Sequence, residues 1–472
     1  MPKNTYITTA IPYVNGAPHI GHTMDYLLAD TYARYRRLKG DNVRFQVGTD
    51  EHGSKIFKKA SENNQEVQEY VDANSQKFRD FIKKLDVGYT DFVRTTDEDH
   101  IRRVREIWRR LEGYIYQNAY EGWYCEGCEN FITDKEYEEN NGICPDHNKP
   151  YEKLSEKNYF LRISDFKEQI KSAIENDEMQ ILPEFRKKEV LKLLEDTPDV
   201  SISRPKEHLS WGVPVPGDEK QVMYVWMDAL ANYITVLGYP EEDISDFWPA
   251  RVQFVGKDIL RFHAIIWPAM LIGLGLPLPK TLLSHGFVLS NGAKMSKSIG
   301  NVIDPLEILS RHGITALRYY FLRHADTFLD ADFTDDKFED AYNNELANDL
   351  GNLVQRLAAM SKKQDLDGLD FTPKLDKEYD DIMNSFHFSK AMDYAWEKVQ
   401  AVNKRIDDTK PWTLAKEDKT DELKELLNSL ISDLLNANHL LKPFLPEATQ
   451  KIEEIFTAKK IVPGEPLFPK NR

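Results

Sequence analysis

Two histidines stand three residues apart in Pro18-His19-Ile20-Gly21-His22, just after an apolar run near the N-terminus. At the start of a helix this spacing puts both imidazoles on one face. The open N–H groups and positive dipole end of a helix start suit a polyphosphate, and Gly21 lets a ligand approach the backbone. Far along the chain comes Lys294-Met295-Ser296-Lys297-Ser298, behind the turn Ser290-Asn291-Gly292. A lysine ammonium is a compact point charge that can follow a moving phosphate. Two of them on one loop can clamp the charge that develops as pyrophosphate leaves. Taken singly, the first string is equally a pair of surface histidines beside a turn. The second is equally a basic loop in a chain with 62 lysines and arginines. Neither G-x-x-x-x-G-K-[S/T] nor G-x-G-x-x-G occurs, so nucleotide chemistry here needs another cradle.

A second constellation has metal-ligand spacing. Cys125-x₂-Cys128 is followed after fifteen residues by Cys144-x₂-His147, which uses all three cysteines of the chain. Three thiolates and one imidazole suit tetrahedral zinc. Four protein ligands close the site, so the expected role of the one Zn²⁺ is structural. The bland alternative is an unmetallated loop. An odd cysteine count confined to one short stretch fits metal ligation in a reducing cytoplasm better than a disulfide framework.

These groups must be carried by several domains, because 472 residues exceed a single core. A net charge of −16 excludes a generally basic nucleic-acid binder but not a local basic face. Arg102, Arg103, Arg105, Arg109 and Arg110 read as a solvated helix face. Residues 1–10 hold no secretory apolar region, and the longest apolar stretch, 264–279, is short and broken by Pro268. A cytoplasmic protein with no membrane partner is expected.

Tyr6 to Ile11 reads as a buried strand, Thr23 to Arg37 as a helix and Val43 to Val47 as a second strand. The polar turn Gly48-Thr49-Asp50-Glu51-His52-Gly53 follows. Strand, helix, strand begins a parallel α/β unit. Helical periodicity is predicted from Val67 to about Gln117. Residues 120–155, rich in Gly, Cys, Asn and Pro, read as a metal-held knuckle with little regular structure. Parallel-sheet signals return in Gln221 to Val225 and Val252 to Val255, and His285 to Leu289 reads as a further strand. The segment between is therefore an insertion splitting one α/β domain. From Phe338 onward the pattern is helical, with amphipathic segments at Asn352 to Lys363, Phe388 to Ile406 and Leu423 to Leu441, as in a helical bundle. Trp108, Trp248 and Trp396 are expected in cores.

With both strings present in this order, the chain resembles the class I aminoacyl-tRNA synthetases, and over essentially its whole length it is similar to the methionyl-tRNA synthetase family. Three further segments carry that choice: Ala10-Ile11-Pro12-Tyr13, Tyr224-Val225-Trp226-Met227-Asp228-Ala229 with Tyr233, and Phe254-Val255-Gly256-Lys257-Asp258-Ile259 leading to His263. The resemblance implies methionine activation by ATP with Mg²⁺, then transfer to the 3′ end of tRNA(Met). It assigns the α-phosphate transition state to His19, His22, Lys294 and Lys297, with Gly21 and Ser296 beside the ATP. It assigns the methionine pocket to Ala10, Ile11, Tyr13, Trp226, Leu230, Tyr233, Ile259 and His263, with His263 reaching the sulfur. Asp50 would meet the ammonium. Leu230 stands where some relatives carry proline, and Asp258 would either bind substrate or orient Arg204. Aromatic walls suit a polarisable thioether.

The resemblance also implies the domain roles. A Rossmann-like catalytic domain spans 1–115 and 218–280, split by a connective insertion, 116–217, that holds the zinc knuckle at 120–155. A stem-contact region with the lysine loop follows at 281–337, and a helical anticodon-binding domain at 338–472. Asn352, Arg356 and Trp412 match positions that read the anticodon, where single-stranded bases are recognised by stacking and edge hydrogen bonds. His147 in the fourth ligand place matches a subset of the family. A single knuckle and a monomer are expected. Leucyl, valyl and isoleucyl relatives would carry a larger insertion, and a cysteinyl relative would place its zinc ligands in the synthetic site. A silent, synthetase-like tRNA-binding protein would show eroded signature strings.

Overall fold

The computed structural model describes residues 2–125, 130–145, 148–294, 303–374 and 376–469. The chain forms two compact units. One comprises Met1–Pro18, Asn42–Phe81 and Tyr89–Ser284, the other His19–Asp41, Ile82–Gly88 and His285–Arg472.

The first unit is built on a six-stranded sheet. Its strands lie in the order Asp91–Arg94, Asn42–Thr49, Asn4–Thr9, Val252–Gly256, Thr281–His285, Gln180–Leu182. Asn4–Thr9 pairs in parallel with both of its neighbours, as Ile7 opposite Phe45 on one side and Val252 on the other. Both faces are covered, so the central strands are buried almost end to end, as parallel sheets require. Gln253 donates to Thr8 Oγ1 (3.3 Å) and accepts from the indole of buried Trp267 (3.1 Å). Trp108 and Trp248 are buried, as expected of core residues.

Strand order reverses between Asn4–Thr9 and Val252–Gly256. From the first the chain proceeds outward to Asn42–Thr49 and Asp91–Arg94; from the second it proceeds the other way, to Thr281–His285. In open α/β sheets the carboxyl ends of two such strands border a ligand crevice.

Several sequence expectations are corrected here. The helical stretch read over 67–117 is two helices, Val67–Lys84 and Glu98–Arg110, separated by the edge strand Asp91–Arg94, and it ends where Ile115–Cys125 begins. A four-residue edge strand in which only Val93 is buried carries too little alternation to be recognised. Residues 120–155 are more regular than expected. Ile115–Cys125 and Glu152–Leu161 form a long antiparallel ribbon, in register from Ile115–Leu161 to Tyr124–Glu152. Gln180–Leu182, inside the segment read as the insertion, is the sixth strand of the parallel sheet, beside Thr281–Leu283. The strand predicted at Gln221 exists as Asp218–Met223, but it is antiparallel, in a small sheet with Ser203–Pro205 and Pro214–Val215.

The second unit is mostly helical. Its longest elements are Ile20–Leu38, Pro305–His324 (two helices that meet at a break at Gly313, φ 76°), Phe388–Thr409 and Thr420–Leu441. The last buries Leu423, Leu427, Leu430, Ile431, Leu434 and Leu435, the stripe that a 3.6-residue period produces. Trp396 is fully buried, its ring 4.7 Å from Tyr319. The predicted strand at His285 is broken at Gly286, where an added Cβ would lie 2.1 Å from the Leu329 carbonyl oxygen.

Helix Ile20–Leu38 is bound into this unit by a buried charge. Asp30, fully buried, lies 2.7 Å from Arg318 Nη1 and 2.7 Å from Arg34 Nε, and it accepts the Gly88 N–H at 2.8 Å. Arg318 donates onward to the carbonyls of Phe444 (2.6 Å) and Pro443 (3.1 Å). Tyr32 packs against Phe386, and Lys39 pairs with Asp380. No described helix is long and apolar enough to cross a membrane.

Removing one partner of a buried ion pair strands the other in low dielectric. Arg318→Leu should therefore cost about 3–5 kcal/mol of stability, read as a lower urea midpoint for the helical signal. A midpoint unchanged from the parent would show that Asp30 does not depend on this guanidinium.

Candidate active site

The histidine string folds as the cap of helix Ile20–Leu38, within the second unit. His19 is the N-cap, with extended backbone (φ −133°, ψ 172°). Its Nδ1 accepts the Gly21 N–H (3.1 Å), and His22 Nδ1 accepts the His19 N–H (3.1 Å). Two imidazoles thus satisfy two helix-start donors reciprocally, as a capping box does. Because each Nδ1 is an acceptor, a neutral ring carries its proton on Nε2. Burial, and then the adjacent His19, push the His22 pKa well below its ordinary value, so His22 is neutral at pH 7. The rings lie 3.9 Å apart between centroids. A Cβ on Gly21 would meet the His19 ring at 2.9 Å, so glycine is needed for this cap as well as for access.

The lysine string begins on a hairpin of the same unit. Leu289 faces Lys294 and Ser290 faces Ala293 in antiparallel register. Asn291 (φ 52°) and Gly292 (φ 76°) make the two-residue turn, where Asn-Gly is the favoured pair because both positions need positive φ. Ser296 and Lys297 lie outside the described residues. The chain re-enters at Ile303, whose carbonyl faces the Ile20 N–H at 3.4 Å. Ile303 thus meets the first residue of the helix capped by His19. His285, just before the hairpin, lies with Nε2 3.3 Å from Asp25 of that helix. This contact had no local sequence signal.

Within the first unit, three chain segments leave the carboxyl ends of the central strands. The Ala10 N–H donates to Phe254 O (2.9 Å), the Asp50 N–H to Pro12 O (2.9 Å) and the Val14 N–H to Asp50 O (3.1 Å). Ala10, Ile11, Tyr13 and buried Asp50 are thereby laced together. Helix Val225–Thr235 adds Trp226, with Leu230 and Tyr233 buried behind it. Trp226 stacks on Phe262 at 3.9 Å and 10° and meets His263 edge-on at 6.0 Å. The sequence reading had not included Phe262; its neighbour His263 was the available pointer. His263 lies in a π-helical turn, Phe262–Ile266, a distortion frequent at functional sites.

The expected contact of His263 with a sulfur atom is not what its bonding favours. Its Nδ1 faces Ile259 O (3.0 Å), so Nδ1 carries the proton, and Nε2 accepts from the Tyr233 hydroxyl (2.7 Å). Burial lowers its pKa to about 4. A neutral ring with both nitrogens engaged has no N–H left to offer. Ile259 is half-buried and Asp258 exposed. The Asp258 carboxylate reaches over Gly256, where an added Cβ would sit 2.7 Å from it. Arg204 is buried, donates to Ser201 Oγ (2.8 Å) and Ser203 O (2.7 Å), and lies over the Tyr224 ring.

Of the expected metal ligands, Cys125 and Cys144 are both buried and share one small cluster with Tyr151. Burial and the nearby Cys144 push the Tyr151 hydroxyl up to about 12. Cys128 and His147 lie outside the described residues, and no group of three or more metal-binding side chains occurs among the described ones. Two buried thiols in so small a core fit the donor chemistry of a thiolate zinc site. In the helical unit, Asn352 is exposed, Arg356 pairs with Asp407 at 3.1 Å, and Trp412 is 43% exposed, just beyond Lys410 in left-handed conformation (φ 46°).

Comparison with known proteins bears on these sites. The chain matches the family described as tRNA synthetases class I (M), over residues 5–154 and 146–358. The methionine–tRNA ligase of Caldanaerobacter subterraneus subsp. tengcongensis is 41% identical, across 96% of this chain and 74% of its own length. That of Listeria monocytogenes serotype 4b is 42% identical, across 95% of this chain and 72% of its own. Among solved structures, Mycobacterium tuberculosis methionyl-tRNA synthetase in complex with methionyl-adenylate superposes with a TM-score of 0.91, at 33% identity and 99% coverage of each chain. The chain belongs to the methionyl-tRNA synthetases of class I, and it is an ATP-dependent aminoacyl-tRNA ligase.

Proposed function

We propose that the chain joins methionine to tRNA(Met) in two steps, and that the residues above divide the work. A carboxylate oxygen of methionine attacks the α-phosphorus of ATP, and the bond to the β-phosphate oxygen breaks to release pyrophosphate. The terminal ribose hydroxyl of the tRNA then attacks the acyl carbonyl, and AMP leaves. The observation that carries this reading is the double-histidine cap on helix Ile20–Leu38, whose first N–H meets the carbonyl of Ile303.

His19 and His22 donate Nε2–H bonds to phosphate oxygens as charge builds on them, an effect strongest when the donors are already oriented. Lys294 and Lys297, with Ser296, follow the leaving pyrophosphate, and Gly21 admits the nucleotide to the backbone. Mg²⁺ bound to ATP would supply screening of the polyphosphate charge. Asp50 receives the ammonium of methionine. Ala10, Ile11, Tyr13, Trp226 and Ile259 enclose the side chain, with Leu230 behind them, and Asp258 lies at the crevice mouth. His263 acts by holding the Tyr233 hydroxyl rather than by meeting the sulfur itself. Cys125, Cys128, Cys144 and His147 would hold one structural Zn²⁺ within 116–217. The catalytic domain takes in 1–115 and 218–280 together with the sheet strands Gln180–Leu182 and Thr281–His285. The stem-contact region follows to residue 337, and the helical domain spans 338–472, where Asn352, Arg356 and Trp412 meet the anticodon.

Pyrophosphate exchange measured with each of the twenty amino acids should respond to methionine far above all others. Exchange with a different amino acid would overturn the assignment. Trp226→Ala should raise KM for methionine at least tenfold, while KM for ATP moves about twofold or less, because it removes apolar contact to the side chain alone. Equal shifts in both would remove Trp226 from the pocket.

His22→Ala should lower the rate of exchange by about 10²–10³ with little change in methionine affinity, as expected for a donor used mainly in the transition state. A loss confined to methionine KM would contradict that role.

Elemental analysis of protein purified without added metal should find one zinc per chain. Cys125→Ser should release it and lower the melting temperature. Metal-free protein that melts unchanged would remove the zinc.

A further inference from the structure

Asp50 is followed in the chain by two buried groups, Glu51 and His52. The fully buried Glu51 carboxylate takes Arg94 Nε (2.8 Å) and Nη2 (2.7 Å), together with the hydroxyls of Thr49 (2.7 Å) and Thr96. The Glu51 main chain is held as well, its N–H by Thr95 Oγ1 (2.9 Å) and its carbonyl by the Trp211 indole (2.6 Å). His52 Nδ1 lies 2.7 Å from Asp228 Oδ2. The other oxygen of Asp228 lies 2.8 Å from His100 Nε2, and His100 Nδ1 lies 2.8 Å from Thr235 Oγ1.

Asp228 is only 1% exposed. Burial raises its pKa, but His52 and His100 outweigh this and bring it to about 2. It is therefore an anion to which both imidazoles donate. An ionised carboxylate is costly to desolvate, and hydrophobic packing would serve stability at least as well. What a paired buried charge supplies instead is a fixed geometry. Asp228 lies on helix Val225–Thr235, next but one to Trp226 and a little over one turn before Tyr233. The strut thus runs from the aromatic wall of the pocket to the residue two after Asp50. The main chain at Asp50 is pinned to Pro12 and Val14. With the side chains of residues 51 and 52 also pinned, the backbone that carries the Asp50 carboxylate is held in one position.

We propose that Asp228, acting through His52, is a positioning residue that holds the Asp50 carboxylate in place against the pocket helix and so sets recognition of the substrate ammonium group. This rests on the reading of Asp50 as the ammonium partner. A merely structural role for Asp228 would weaken every ligand of the pocket alike, whereas positioning of Asp50 affects only ligands that carry an amine.

The test compares three compounds in pyrophosphate exchange: methionine as substrate, methioninol as an inhibitor that keeps the amine, and 2-hydroxy-4-(methylthio)butanoate as an inhibitor that lacks it. Asp228→Asn should weaken methionine and methioninol about tenfold or more, the scale on which a displaced contact group acts. It should leave the hydroxy acid and KM for ATP within about twofold. Asp50→Asn serves as the reference and should show the same pattern. Equal weakening of all three compounds by Asp228→Asn, or no weakening, overturns the proposal while the role of Asp50 stands. If Asp50→Asn itself fails to single out the amine, the reading of Asp50 falls and the proposal falls with it. Should Asp228→Asn not fold, His52→Gln cuts the same strut at its other end and is judged by the same pattern.

Discussion

A single topological constraint governs the first unit. In its parallel sheet, strands Asn4–Thr9 and Val252–Gly256 are neighbours, yet the chain leaves them in opposite directions. Connections that diverge cannot fill the space beyond the strand ends, and a crevice results. The segments that border it are consequences of strand order. Ala10–Tyr13, Asp50 and Lys257–Ile259 are distant in sequence but follow the first, second and fifth strands of that sheet in chain order. Main-chain hydrogen bonds from Ala10 to Phe254 and from Asp50 to Pro12 then lock them together. The aromatic side chains near this crevice come from helices whose other faces are core, so Trp226 and Phe262 can stack without loosening the fold.

Buried charge plays the complementary part. Each unit contains carboxylates with almost no solvent contact that are engaged by cations or imidazoles: Asp30 in one, Glu51 and Asp228 in the other. In the helical unit, Asp30 and Arg318 join the helix capped by His19 to the carbonyls at 443–444. In the α/β unit, Glu51 with Arg94, and Asp228 with two histidines, do the same for the turn around Asp50. Such pairs return little net stability over apolar packing. Their effect is to leave each element one acceptable position. An apolar contact tolerates sliding, whereas an ion pair with satisfied hydrogen bonds does not. Elements that present reacting or ligand-binding groups are the ones that benefit most from that intolerance.

How far the sequence foretold this depends on how local each feature is. The His19 cap, the Asn291-Gly292 hairpin and the apolar stripe of Thr420–Leu441 were legible, because each depends on residues within one or two turns of one another. The strand Asp91–Arg94 was not, since only one of its residues is buried and its identity comes from pairing with Asn42–Thr49. The ribbon of Ile115–Cys125 with Glu152–Leu161 was missed for a related reason: cross-strand pairs between distant polar segments leave no periodic apolar trace. The expected strand at Gln221 was real, but its antiparallel partners were invisible from the residues themselves.

The same division holds for the chemistry. Sequence alone determined which side chains are available and their local spacing: two histidines at a helix start, two lysines beyond a tight turn, two thiols three residues apart. Such patterns are set by short-range backbone geometry. The tertiary structure decided what state and direction those groups take. It turned His263 into a neutral partner of Tyr233, and it gave Asp50 a braced setting through residues as far away as Asp228 and His100. Protonation and orientation depend on burial and on charges brought close by folding, and no window along the chain contains that information.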